Sequence, residues 1–248
     1  MLLGIICNEK TQDLDTLQAV NHLYLRAVAE HMDVQPVLIP AAMAQKNAPT
    51  PKFNADRLLD RLDGLLITGN RSNIHPSHYG APATPAHEPF DRNRDAVAFA
   101  LIQGALDRDL PLLTVCRGMQ ELNIVCGGSL ATDIHTQPGK LDHRTPKGDS
   151  LKQRYVARHR AQFLDNGYFH NLLGVAQAQT NSLHWQAIDQ LGDDLIVEAQ
   201  ADDGTIEAVR HSQASHCIGV QWHPEYQTGE NIISAKLFGD LGRAMQER

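Results

Sequence analysis

PLLTVCRGMQELN, residues 111–123, changes character at its middle. Pro111 to Cys116 is a short apolar run of the kind that fills a buried strand. From Arg117 to Cys126 the spacing becomes helical, and Gly127-Gly128 follows as a C-terminal cap. A cysteine therefore stands where a buried strand meets a helix, with Gly118 two residues on. This is the pattern of a nucleophile elbow, in which a sharp turn needs small residues so that backbones can approach. Gly118 meets that need, whereas Thr114 is a bulkier neighbour than the turn prefers. A helix N-terminus favours the thiolate, which is the attacking species. The N–H of Arg117, next in the chain, is placed to donate to an oxyanion. The competing reading is a buried structural cysteine, the commoner case for a lone cysteine at a strand end. Gly118 and the strand-to-helix context favour the nucleophile. Cys7, Cys126 and Cys217 have no such context and are assigned to core packing.

Outward from this stretch, LLGIIC (2–7), VQPVLIP (34–40) and GLLIT (64–68) read as further buried strands. Between them Leu17–His31, Ala55–Leu62 and Asp91–Asp107 read as helices. The second half holds shorter strands: QRYVAR (153–158), VAQAQT (175–180), LIVEAQ (195–200), TIEAVR (205–210) and CIGVQW (217–222). Asp202-Asp203-Gly204 is a hairpin turn, and a helix closes the chain over about 230–246. The expected fold is α/β, with a central mostly parallel sheet, helices on both faces and added short antiparallel strands. No repeat, linker or low-complexity tract divides the 248 residues, so 1–248 reads as a single domain.

Bulk properties narrow the function. A net charge of −7 argues against nucleic acid or an anionic membrane as partner. No apolar run approaches the roughly 20 residues that span a bilayer. None of the four cysteines forms a C-x-x-C pair. The chain opens straight into a strand, without a basic, then apolar, leader. These features predict the reducing cytosol. There is no Gly-rich phosphate motif, and the expected cofactor is none.

CIGVQWHPEY (217–226) supplies the second chemical signal. His223 stands just past an apolar strand, then Pro224 turns the chain and Glu225 follows. A cysteine nucleophile needs a histidine base, and that base needs a carboxylate to fix its tautomer. The competing reading is a polar turn at a strand end, since the chain has thirteen histidines. The H-P-E order sets His223 apart, and the expected catalytic triad is Cys116, His223 and Glu225.

V-C-R-G-M-Q with G-V-Q-W-H-P-E resembles the class I glutamine amidotransferase superfamily. NHLYLRAV, DGLLITG, FDRNRDAVAFALIQGAL, TNSLHWQAIDQLG and DGTIEAV extend the resemblance end to end. Within the superfamily the chain is most similar to the γ-glutamyl hydrolase branch, the γ-glutamyl-γ-aminobutyrate hydrolases in particular. The resemblance implies a flavodoxin-like, glutamine amidotransferase-like fold and hydrolysis of a small γ-glutamyl amide through a thioester. It also implies a possible homodimer. Family members usually carry paired glycines after the third strand, where this chain has Gly69-Asn70. The implied oxyanion group is thus Arg117, Asn70 and Gly69, with the Asn70 N–H in the second glycine's place. A glutamate expected near Ala98 is absent.

By the same resemblance, Asn181, Ser182 and His184 hold the glutamyl end, and Gln120 faces the same pocket. The polar loop RSNIHPSHYG (71–80) offers Asn73, His75 and Tyr79, beside Ile74 and Pro76, to the leaving amine. Its histidines have no carboxylates at ligand spacing, so no metal is expected. Ordinary turn polarity is the competing reading for each of these residues. Two alternatives to a free-standing γ-glutamyl hydrolase stay open. One is a glutaminase subunit delivering ammonia to a partner synthetase. The other is a non-catalytic binding protein, against which the intact triad counts.

Overall fold

The computed structural model describes residues 1–41 and 53–248. The strands are β1 (Leu2–Ile6), β2 (Asn8–Gln12), β3 (Asp15–Ala19), β4 (Gln35–Ile39), β5 (Gly64–Ile67), β6 (Leu112–Val115), β7 (Leu130–Ala131), β8 (Ala157–Phe163), β9 (Gln177–Asn181), β10 (Ala187–Ile188), β11 (Leu195–Ala201), β12 (Ile206–His211) and β13 (Cys217–Val220). The helices are α1 (His22–His31), α2 (Ala55–Leu59), α3 (Arg92–Asp107), α4 (Arg117–Val125), α5 (Leu151–Arg154), α6 (Tyr168–Leu173) and α7 (Ile232–Glu247).

Nine strands form one sheet in the order β4-β1-β5-β6-β13-β12-β11-β8-β9. The first five run parallel, and the four pairings from β13 to β9 are antiparallel. Numbered among themselves, the parallel strands follow the order 2-1-3-4-5 of flavodoxin-like folds. The fully buried strands explain this arrangement. Leu65 and Leu112 face one apolar cluster, with α2, α3 and α4. Leu66 and Leu113, one residue on, face the other, with α1 and α7. A strand whose two faces are both apolar must be covered on both, and βαβ crossovers provide that cover. Each such leucine contributes roughly 1.5–3 kcal/mol when fully buried.

Two expected elements differ. The helix read from Leu17 begins at His22, because Asp15–Ala19 pairs with Asn8–Gln12 as a hairpin. Asn21 then caps α1 by accepting from the Leu23 N–H. QRYVAR begins as α5, where Ser150 and Gln153 make a capping box, and the strand runs over Ala157–Phe163 instead. Among the described residues, no helix is long and apolar enough to cross a membrane.

Candidate active site

The expected elbow is present in the backbone. Cys116 has φ 52° and ψ −106°, a conformation that costs a non-glycine residue of the order of 1–3 kcal/mol. The surroundings hold it there. The Cys116 N–H donates to Val220 O at 2.7 Å, tying it to β13. Its carbonyl accepts from the Gln120 N–H at 3.2 Å, the first turn of α4. Gly118 is required because a Cβ there would lie 2.4 Å from the Ile67 carbonyl oxygen. Thr114 is accommodated by its partner across the sheet, Gly219, whose missing side chain leaves room for the hydroxyl. The Arg117 N–H sits at the first helical position, where the helix itself gives it no acceptor.

His223, Pro224 and Glu225 follow β13, on the strand next to β6. His223 Nδ1 lies 2.7 Å from Glu225 Oε1. The His223 ring and the Cys116 side chain flank the same space over Gly69, and the sulfur interacts favourably with the protonated ring. Burial works against the imidazolium, but the Glu225 carboxylate and the Cys116 sulfur outweigh it and raise the His223 pKa well above its usual value. The side chain of Asn181 holds the same residue from behind. Its Oδ1 accepts from the His223 N–H at 2.8 Å, and its Nδ2 donates to the His223 carbonyl at 3.0 Å.

Gly69 closes the other side. A Cβ on Gly69 would lie 2.8 Å from His223 Cε1 and 3.3 Å from the Cys116 Cβ. Its N–H donates to the Tyr24 hydroxyl at 2.9 Å, so its part in the expected oxyanion group is corrected to one of clearance. The side chain of Asn70 is engaged with Ser72 and the Arg71 N–H, and Asn70 is not among the non-glycine residues of positive φ. Tyr24 is buried, and its phenol is held neutral by that burial and by the Glu225 charge.

Beneath this loop lies a buried charge network that the sequence reading missed. Arg94 pairs with Glu121 at 3.0 Å and donates to Thr68 Oγ1 at 3.2 Å and to the Thr68 carbonyl. Arg117 donates to Ser72 O at 2.9 Å and pairs with Asp95 and Glu121. Two guanidiniums thus fix the carbonyls on either side of Gly69 and Asn70. FDRNRDAV carried the signal, since arginines placed among apolar helix positions need buried acceptors.

The expected substrate contacts divide. Gln120 Nε2 donates to Gln186 O and Gln221 Oε1, at 2.8 and 3.1 Å. Ser182 Oγ donates to His143 O at 2.9 Å, and His184 Nδ1 meets Gln186 O at 2.9 Å. Ser182 and His184 therefore lie in a buried polar cluster, and Asn181 serves His223. In the 71–80 loop, His75 Nδ1 meets Ser77 Oγ at 2.8 Å, and its Nε2 meets the Arg92 guanidinium. Tyr79 accepts from Gln186 Nε2 at 3.2 Å, while Asn73 pairs with Phe90 as an isolated bridge. Ile74 and Pro76 are buried. The apolar part of this loop is thus core, a correction to its reading as a surface for the leaving amine. Aromatic rings do border His223 elsewhere: Tyr155 meets it edge-on at 5.8 Å and stacks on Tyr226 at 4.7 Å.

A family model matches residues 1–225, that of Peptidase C26. The chain belongs to the Peptidase C26 family. It is 34% identical to the γ-glutamyl-γ-aminobutyrate hydrolase of Escherichia coli (strain K12), over 99% of this chain and 93% of that protein. It is 31% identical to protein NtpR of Enterococcus hirae, over 96% of each. Among solved structures, a glutamine amidotransferase from Thermotoga maritima superimposes with a TM-score of 0.60 at 12% identity, covering 99% of this chain and 98% of that one. The last likeness establishes the fold, which the Peptidase C26 chain shares with amidotransferases.

Proposed function

We propose that the protein is a hydrolase of γ-glutamyl amides in which Cys116, His223 and Glu225 form the catalytic triad. The observation that carries this reading is the strained Cys116 elbow, facing an imidazole clamped by Glu225 and Asn181. The relationship to γ-glutamyl-γ-aminobutyrate hydrolase gives the bond that is cut.

The Cys116 proton passes to His223, and the thiolate Sγ attacks the γ-carbonyl carbon, forming a C–S bond as the carbonyl π bond opens. The negative charge moves to the carbonyl oxygen, where the backbone N–H groups of Arg117 and Asn70 receive it. His223, held as an imidazolium, gives its proton to the leaving nitrogen as the C–N bond breaks. The amine departs and a γ-glutamyl thioester remains on Cys116. Neutral His223 then takes a proton from water, the hydroxide attacks the thioester, and glutamate leaves as the thiol regains its proton. Glu225 orients the ring through Nδ1 throughout and fixes its tautomer. Buried Tyr24 and the arginine network hold the oxyanion loop still during both steps.

The substrate we favour is γ-glutamyl-γ-aminobutyrate or a γ-glutamyl polyamine, formed in putrescine and polyamine catabolism. The stacked pair Tyr155–Tyr226 beside His223 offers apolar area to an alkyl amine. Four free cysteines fit a reducing cytosol, and the resemblance fits a homodimer. The test is kcat/KM for γ-glutamyl-γ-aminobutyrate, γ-glutamyl-putrescine, γ-glutamyl-spermidine and glutamine. The γ-glutamyl amides should exceed glutamine by tenfold or more. Glutamine as the best substrate would support a glutaminase subunit instead.

A further inference from the structure

A second group of titratable side chains lies outside the proposed chemistry. His159 on β8 and Glu207 on β12 meet His143, from the segment between β7 and α5, and His184, just past β9. All four are at most 7% exposed, and Glu207 is fully buried. Both oxygens of that carboxylate lack a hydrogen-bond partner of normal geometry, and so does His184 Nε2. A buried carboxylate left this way is costly unless a cation satisfies it.

The geometry around Glu207 has the dimensions of a metal site. His159 Nε2 is 3.1 Å from Glu207 Oε1, His143 Nδ1 is 3.8 Å away, and His184 Nε2 is also 3.8 Å away. Ligand atoms of His143, His159 and Glu207 all lie within 4.8 Å of one another, while His184 stands outside that group and approaches Glu207 alone. Bond lengths of about 2.0–2.1 Å in a tetrahedron set ligand atoms roughly 3.3 Å apart, a spacing these distances bracket. The outer partners are also those that ligating histidines use. His143 Nε2 faces Asp203 Oδ2 at 3.0 Å, leaving Nδ1 toward Glu207. His184 Nδ1 faces the Gln186 carbonyl, leaving Nε2 toward Glu207. Two hydroxyls touch the inward nitrogens, Ser182 Oγ at 3.0 Å from His143 Nδ1 and Thr180 Oγ1 at 3.3 Å from His159 Nε2. Each also has a backbone carbonyl to donate to, so each can yield its place to an ion.

We propose that His143, His159, His184 and Glu207 bind one divalent transition-metal ion, zinc by the chemistry of the donor set. Three imidazoles and a carboxylate suit zinc in a closed tetrahedral site. Two positive charges against Glu207 and Asp203 leave the buried cluster neutral. The ion would join β8, β12 and the segments carrying His143 and His184, behind the Asn181 that clamps His223. With every ligand buried, loading accompanies folding.

The test uses the full chain, free of any polyhistidine tag. Metal content is measured as purified, after refolding from denaturant with a chelator, and after refolding with Zn²⁺ alone. The expected result is about one zinc per chain as purified, loss in chelator, and recovery with Zn²⁺. At a hundredfold excess over Kd, the melting temperature should rise by roughly 5–10 °C. Glu207→Gln and His159→Gln should lose the stoichiometric zinc, whereas His22→Gln, at an exposed position, should keep it. Wild type refolded with Zn²⁺ that holds less than about a tenth of an equivalent and melts unchanged would overturn the proposal. Undiminished zinc in Glu207→Gln would overturn it too. Both wild-type arms decide the matter even where the variants fail to fold.

Discussion

Gly69→Ala is a small perturbation with a large expected effect on turnover. The added methyl would lie 2.8 Å from His223 Cε1 and 3.3 Å from the Cys116 Cβ. Carbon atoms rest at about 3.5–4.0 Å, so the ring must retreat by roughly 0.7–1.2 Å. The backbone itself does not resist alanine, because Gly69 is not among the residues of positive φ. Retreat is opposed by Glu225 on one ring nitrogen and by Asn181 on the main chain, so the ring tilts away from the sulfur instead. A displacement of about 1 Å costs on the order of 10²-fold in rate, or about 2.7 kcal/mol of barrier. Overpacking of this kind also costs roughly 1–3 kcal/mol of stability, a fall of several degrees in Tm. Glutamate release from a γ-glutamyl amide, measured beside a thermal melt, checks both. A folded Gly69→Ala protein with kcat/KM within threefold of wild type would refute the packing argument.

Asn181→Ala removes two hydrogen bonds to the His223 main chain and should lower kcat by about tenfold with little change in KM, as loss of alignment does. A rise in KM alone would return Asn181 to substrate binding. The raised His223 pKa means that folding stability gains its full contribution below the unfolded value of about 6.5 and loses it as pH rises through the folded value. Glu225→Gln should bring that alkaline loss to lower pH, seen in denaturant midpoints across pH; an unmoved curve would assign the stabilising charge elsewhere. Arg94→Met strands Glu121 in the interior and frees the Thr68 carbonyl, so it should cost roughly 3–5 kcal/mol in urea unfolding. A loss below 1 kcal/mol would show that Arg117 alone satisfies that carboxylate.

The parallel half of the sheet was legible because its strands are buried on both faces and read as unbroken apolar runs. The elbow was legible for a related reason. Gly118 two residues past a strand-end cysteine marks a close backbone approach, and the structure has that approach together with a positive φ at Cys116. The hairpin over Asn8–Ala19 was not legible, because it is mostly exposed and lacks the alternation that marks a half-buried strand. The roles of Asn181, Ser182 and His184 were hidden for another reason. Polar residues at a strand end look alike whether they bind a ligand or satisfy a neighbour. Only the fold brings His143, His159 and Glu207, each from a different segment, against them. The same limit concealed Tyr24, a residue at helical spacing whose hydroxyl reaches the Gly69 N–H from another element.

The central claim is that Cys116 carries the γ-glutamyl group between two half-reactions. Acid-quenched mass spectrometry of the enzyme during turnover of γ-glutamyl-γ-aminobutyrate addresses it directly, with the adduct mapped by proteolysis. The expected result is a hydroxylamine-sensitive glutamyl thioester on the peptide containing Cys116. It should be absent from Cys116→Ala, whose turnover should fall by about 10⁴-fold or more while its melting temperature stays near that of wild type. A glutamyl adduct on another residue, or Cys116→Ala turning over within tenfold of wild type, would contradict the account.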